Sequence, residues 1–249
     1  MALPRLPPVL LLLLSLALGS AGQEGLHPAQ DTGERIINGV VCPRGSHPWQ
    51  VALYAFDEFH CAGVLVNQQW VLTVAHCRLS EYIVQMGSDL LFDGHAQRIR
   101  TTQSFVHPWY NHSNYNYDIM LLKLPSPVTL SPTVNTIDLP SSCKDPGTSC
   151  TVSGWGVTTA DAATNPSELM CSNVNIISAQ ECKQSYQDLL KRYMLCAVPP
   201  DGLSNSCTVP CKALVSPGHA PCTLRFAPVV YTRLCKYRKW LYKTMKDNS

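Results

Sequence analysis

Charge is scarce in this chain. Of its 249 residues only 14% are charged, 19 basic and 17 acidic, for a formal net charge of +2. Soluble domains carry about 25%. No basic or acidic block occurs, which excludes the electrostatic footprint of a nucleic-acid or anionic-membrane partner. Long apolar runs are lacking too. "VLLLLLSLALGSAG", residues 9–22, falls short of the about 20 residues a membrane span requires. No self-similarity recurs at a period of about 20–50 residues, so solenoids and propellers are excluded. No cysteine is left over either, because the count of 12 is even.

What is present points outward from the cell. Arg5, the apolar run and the small residues at Ala21 and Gly22 form a secretory signal peptide over residues 1–22. The mature chain is expected to be secreted, extracellular, monomeric and free of membrane. In that compartment twelve cysteines imply a disulfide framework, whose connectivity spacing alone leaves open. Residues 23–35, "QEGLHPAQDTGER", are polar and aperiodic, a flexible leader.

After Arg35 the texture changes. "IINGVVC", "HPWQVALYAF", "HCAGVLVNQQWVLTVAHC", "EYIVQMG", "IMLLKL", "SCTVSGWGVTT" and "PVVYTRL" are short β-branched and aromatic runs broken by Gly, Pro and Asn. That is the pattern of an all-β barrel or sandwich. Two segments have helical character. Ser178 with Glu181 three residues on is a capping box. Near the C-terminus Tyr237, Trp240, Leu241 and Met245 recur at helical spacing, which reads as a packing helix with a solvated basic face.

Two residues carry chemistry. His76, in "TVAHC", directly follows an apolar strand, and Asp118, in "YDIMLLKL", directly precedes one. Taken singly they read as a core histidine and a loop aspartate. As a pair they have a catalytic use. A carboxylate accepting the Nδ1 proton fixes the imidazole tautomer, which leaves Nε2 to take a proton from a nucleophile.

With "RIING", "RGSHPWQVAL", "AQRI", "SGWG" and "MLCA", these residues carry a resemblance. The chain resembles the kallikrein-related peptidases among the chymotrypsin-fold serine proteases, from about residue 36 onward. The resemblance implies two packed six-stranded antiparallel barrels, about 36–140 and 141–249, with a C-terminal helix crossing back. It implies a zymogen cut between Arg35 and Ile36 by a trypsin-like protease. It assigns His76 as general base and Asp118 as its orienting carboxylate. It implies the pairs Cys42–Cys171, Cys61–Cys77, Cys143–Cys235, Cys150–Cys211, Cys182–Cys196 and Cys207–Cys222. Protein or peptide substrates and protease inhibitors are the implied partners, with no cofactor and no metal.

One part of the family pattern is missing. The nucleophile loop reads C-x-G-D-S-G-G-P-L-V-C in the family, and no G-D-S-G-G-P occurs here. The chain reads Cys207-Thr-Val-Pro-Cys211 instead, while "MLCA" before it and "LVSPGHAPC" after it still match. Ser206 and Ser216 lie nearby, but neither sits at the nucleophile's place in the pattern. Asn205 takes the pocket-base position, which implies a chymotryptic preference, with Ser216, Gly218 and Val229 along the pocket. Pro217 stands where the family has Trp, and Val229 where it has a pocket-wall Gly. The expectation is a chain inactive as written: a pseudoprotease that binds, or the record of an active protease whose loop was lost from the gene model. A misfolded product without an extracellular role is a third reading.

Three minor readings complete the sequence. A zinc clip from Cys207, Cys211, Cys222 and His219 has acceptable spacing, but an oxidising compartment and a family partner for each cysteine oppose it. His107 and His112 read as solvated loop histidines rather than ligands of an inhibitory metal. Asn111-His112-Ser113 is an N-glycosylation sequon, and Asn165-Pro166-Ser167 is not, because proline blocks it.

Overall fold

The apolar runs form strands separated by the turn residues that punctuate them. In the computed structural model residues 39–156, 164–200, 213–215 and 228–249 are described. The leader, Arg35, Ile36, Asn205, Ser216, Gly218, Cys207, Cys211 and Cys222 lie outside these residues. The strands are β1 (Val40–Val41), β2 (Gln50–Ala55), β3 (Glu58–Asn67), β4 (Trp70–Thr73), β5 (Tyr82–Met86), β6 (Gln97–Thr101) and β7 (Gln103–Val106). They continue with β8 (Met120–Lys123), β9 (Ser149–Gly154), β10 (Met170–Ile177), β11 (Met194–Val198), β12 (Ala213–Val215) and β13 (Val229–Arg233). Among the described residues there are two α-helices, α1 (Ala179–Tyr186) and α2 (Arg238–Asp247). None of the described helices is long and apolar enough to cross a membrane.

The strands make two antiparallel sheets. One has seven strands in the order β6-β5-β2-β3-β4-β8-β7. Its two edges are neighbours in sequence: Thr101 on β6 pairs with Tyr82, and Gln103 on β7 pairs with Lys123. Only Thr102 separates them, so one bent strand serves both edges and the sheet closes on itself. The Thr101 hydroxyl donates to the Lys123 carbonyl at that corner. With β6 and β7 taken as one bent strand, the seven segments make a closed sheet of six strands. The other sheet has six strands, β1-β10-β11-β13-β12 with β9 on the far flank of β10. Its β9 and β12 edges have no partner strand among the described residues, and its sixth member is the two-residue β1. Among the described residues this sheet is not closed.

β2 explains how the sheets share a core. Its sequence, QVALYA, is apolar at alternating and intervening positions, and its first five residues are buried. Val51 and Leu53 pack in the cluster of the seven-stranded sheet. Ala52 and Tyr54 face Trp155, Leu169 and the Cys42–Cys171 disulfide. A strand buried on both faces reads as a continuous apolar run rather than a simple alternation. Gly63 on β3 meets the need for a close approach, since a Cβ there would lie 2.9 Å from Val71 Cγ1 and 3.0 Å from the Leu72 carbonyl oxygen.

Both helices follow their sequence signals. Ser178 Oγ accepts from Glu181 N at 3.1 Å while the Glu181 carboxylate accepts from Ser178 N at 2.8 Å, closing the capping box at the start of α1. Leu241 and Met245 of α2 join the core of the seven-stranded sheet, with Leu234 and Tyr237 just before the helix. Four disulfides lie within the described residues: Cys42–Cys171, Cys61–Cys77, Cys143–Cys235 and Cys182–Cys196. Cys150 is also disulfide-bonded.

Candidate active site

His76 sits in a 3₁₀ turn, Ala75–Cys77, at the end of β4. The flanking Ala75 and Cys77 are buried, and Cys77 is bonded to Cys61 on β3, so the turn is pinned on both sides of the imidazole. Asp118 lies just before β8, which pairs with β4 through Thr73↔Met120. That pairing brings two residues 42 positions apart in the chain to one end of the sheet.

The carboxylate grips the histidine twice. Asp118 Oδ2 lies 2.8 Å from His76 Nδ1, and Oδ1 accepts from the His76 backbone N–H at 2.9 Å. Asp118 is only 1% exposed. Its own carbonyl accepts from Thr232 Oγ1 at 3.1 Å, which ties the site to β13 of the other sheet. A buried carboxylate held this way orients the ring, with Nδ1–H toward Asp118 and Nε2 facing away from it. His76 Nε2 is buried and has no hydrogen-bond partner among the described residues.

The loop before Asp118 is shaped by aromatic packing. Tyr117 has φ 56°, in the left-handed region that bulky residues rarely occupy. Its ring is stacked on Tyr193 at 4.1 Å and on His107 at 5.0 Å. Contacts of this kind offset the about 1–3 kcal/mol cost of such a conformation. His107 is therefore no solvated loop side chain. It is 8% exposed, packed by Tyr117, Trp109, Tyr237 and Trp240, and its Nδ1 accepts from Trp109 N at 3.2 Å. Burial holds its imidazole below the usual range. His112 is exposed.

Several neighbours of the pair were not legible in the sequence. Thr232 is separated from Asp118 by 114 residues, and nothing local marks it. Tyr115 presents its ring edge-on to His76 at 6.0 Å. His60 lies close enough for its charge to be coupled to His76, and burial holds it below the usual imidazole range. Among the described residues two groupings of cysteine with histidine occur, Cys42–His47–Cys171 and His60–Cys61–Cys77, but their sulfurs are joined in disulfides and cannot ligate a metal.

Of the remaining predicted positions, Val229 and Asn111 are described. Val229 begins β13 opposite Ala197 and packs against the cluster of Val152, Val174, Leu195 and Tyr231. Asn111 is exposed in the loop before Asp118, where its Oδ1 accepts from Ser113 N at 2.9 Å. Asn205, Ser216, Gly218 and the zinc-clip residues lie outside the described residues.

The described geometry is thus a histidine on a pinned turn, gripped through Nδ1 and its backbone N–H by a buried aspartate. Residues 36–241 match the Trypsin family, and the chain belongs to it. Within that family its likeness runs to the kallikreins. Kallikrein-7 of Homo sapiens is 49% identical over 258 residues, covering 100% of both chains. Kallikrein-10 of Homo sapiens is 39% identical over 258 residues, covering 96% of this chain and 93% of that one. Among solved structures, neuropsin, a serine protease expressed in the limbic system of mouse brain, superposes with a TM-score of 0.76. It is 34% identical and covers 84% of this chain and 100% of its own.

Proposed function

We propose that this chain is a secreted kallikrein-type zymogen that retains the general-base half of the site, has no nucleophile and hydrolyses no peptide bonds as written. One observation carries the reading. His76 Nε2 is oriented by Asp118 and lacks a partner among the described residues, in a sequence without G-D-S-G-G-P.

The chemistry follows from what a triad does. The serine supplies the electron pair that attacks the carbonyl, and the imidazole only relays its proton. Losing the nucleophile costs on the order of 10⁶ in kcat, whatever the His–Asp geometry. The loop also supplies backbone N–H donors to the oxyanion, and losing one such donor costs about 10²–10³. Removal of residues 1–22 and cleavage between Arg35 and Ile36 would generate the mature form. Asn205, Ser216, Gly218 and Val229 would line the pocket, with the β-branched Val229 narrowing it. Cys150–Cys211 and Cys207–Cys222 would complete the disulfides, and Asn111 would carry a glycan. What remains is a monomeric, extracellular protease fold that binds the proteins its relatives cleave or are inhibited by.

A fluorophosphonate probe tests this directly. The secreted chain is treated with a trypsin-like protease, the Ile36 N-terminus is verified, and labelling and hydrolysis of an aromatic-P1 peptide are measured. No labelling and no hydrolysis above buffer are expected. Labelling abolished by His76→Ala would overturn the reading. The intact His76–Asp118 geometry also favours a second reading, an active protease whose loop is missing from the gene model. Sequencing the transcript across the codons for Cys196 to Tyr231 decides between them: an added G-D-S-G-G-P supports the second.

A further inference from the structure

The Cys42–Cys171 disulfide ties the first strand to the molecule. β1 has two residues, paired Val40↔Cys171 and Val41↔Met170 on β10. Their side chains are 67% and 48% exposed, so burial holds little of β1. Beyond that ladder, Cys42 N–H donates to the Leu169 carbonyl at 2.9 Å. A strand this short, with few buried contacts, opens locally at small cost.

A histidine faces the disulfide. His47 Nε2 lies 3.8 Å and Nδ1 4.0 Å from Cys171 Sγ. Ser46 Oγ is 2.7 Å from Nδ1 and, donating there, leaves the ring proton on Nε2, the nitrogen nearer the sulfur. Burial holds the imidazole below its usual range, with Asp89 opposing, so the ring is neutral at pH 7. Thiol–disulfide exchange runs faster when the leaving thiolate is stabilised, and an N–H donor beside Cys171 does that. Cys61–Cys77 also has a neighbouring histidine, His60, but those cysteines are 1% and 0% exposed.

The other sulfur belongs to the wall of a surface pocket. Cys42 and His47 line a space of about 230 Å³, and Cys171 is not among its walls. Sites for drug-sized ligands occupy about 300–1,000 Å³, so this one suits a smaller molecule. Among the described residues, Asp89, Asp93 and Glu168 line it against the single guanidinium of Arg44. Asp93 accepts from Ser88 Oγ and His95 N, which hold its carboxyl below the usual range. That excess of carboxylates favours a cationic guest.

We propose that Cys42 is a thiolation site for a small cationic aminothiol that enters this pocket. As β1 opens, the aminothiol's thiolate attacks Cys42 Sγ, a new sulfur–sulfur bond forms and the Cys42–Cys171 bond breaks. The bonding pair leaves on Cys171, and His47 Nε2–H holds that thiolate until a solvent proton converts it to a thiol. One mixed disulfide and one thiol result, with no further oxidant or reductant, and β1 is freed from β10. The proposal does not rest on the protease reading, since neither His76 nor Asp118 takes part.

The test treats the secreted full-length chain with cysteamine or with mercaptoacetate, a thiol of similar size and opposite charge. Samples are quenched early with iodoacetamide and their peptides mapped by mass. Each rate is divided by that thiol's rate with a linear cystine peptide. A cysteamine adduct on Cys42 and an alkylated Cys171 are expected before any other disulfide opens. The divided rate is expected to be about tenfold or more higher for cysteamine than for mercaptoacetate. His47→Phe is expected to slow the cysteamine reaction by about tenfold or more. Earlier opening of another pair overturns the proposal, as does an adduct confined to Cys171, equal divided rates for the two thiols or an unchanged rate in His47→Phe. Should His47→Phe not be secreted in folded form, the adduct's position and the comparison of the two thiols on the unaltered chain still decide.

Discussion

Asp118 concentrates three interactions in one buried residue. Its carboxylate serves the His76 ring and backbone, and its carbonyl serves Thr232. On the proposed reading, the measurable consequence of this arrangement is stability rather than rate. Asp118→Ala would leave two donors of His76 without their acceptor in a buried setting, at about 1–3 kcal/mol each. We expect urea denaturation to show a loss of about 2–4 kcal/mol, a value near the upper end for single substitutions. Asp118→Asn, which keeps one acceptor oxygen, should lose less. The sequence marked both His76 and Asp118, because each abuts a recognisable strand. Thr232 had no such marker, since it sits within an ordinary β-branched run and acquires its role only by register.

At the scale of elements, local signals and long-range pairing contributed differently. α1 is specified locally: Ser178 and Glu181 satisfy each other's neighbouring backbone N–H groups within one turn. Ser178→Ala should cost about 1 kcal/mol, measured by thermal or urea unfolding, and Glu181→Gln should cost less because the amide can still accept. α2 shows the same legibility, its apolar positions recurring on one face that the core of the seven-stranded sheet covers. The loop leading to Asp118 behaves otherwise. Nothing in "NHSNYNYD" announces that Tyr117 adopts a positive φ, or that His107 leaves solvent to stack on it. Those outcomes depend on Tyr193 and Tyr237, which arrive from the other half of the chain.

For the whole molecule, the same aromatic junction sets an alkaline limit. Burial, together with the neighbouring Tyr117, pushes the Tyr193 phenol up to about 12. Burial also pushes Tyr237 and Tyr110 upward, and both hydroxyls are buried without a partner among the described residues. In the unfolded chain these phenols titrate near pH 10. The folded state therefore retains protons that the unfolded state has released. The stabilising contribution is complete below about pH 10 and is lost as pH rises toward 12. Chemical denaturation between pH 9 and pH 11 should show stability falling with pH, and Tyr193→Phe should flatten the slope. These tyrosines come from three separate segments, so their ionisation is expected to loosen the junction between the two sheets rather than a single loop.

By itself the sequence determined the mostly-β class, both described helices and the two strand-end residues, His76 and Asp118, that the fold brings together. Each of these is written in contiguous residues: an apolar run, an alternation, a cap, a short motif at a strand end. It also shows that the string G-D-S-G-G-P does not occur in it. Tertiary structure decided the rest. Closure of the seven-stranded sheet at Thr102, the hold of Thr232 on Asp118, the stacking around Tyr117 and the approach of His47 to Cys171 all join residues distant in the chain. Such features depend on strand register and on which faces meet, and a periodic pattern specifies a face without naming its partner.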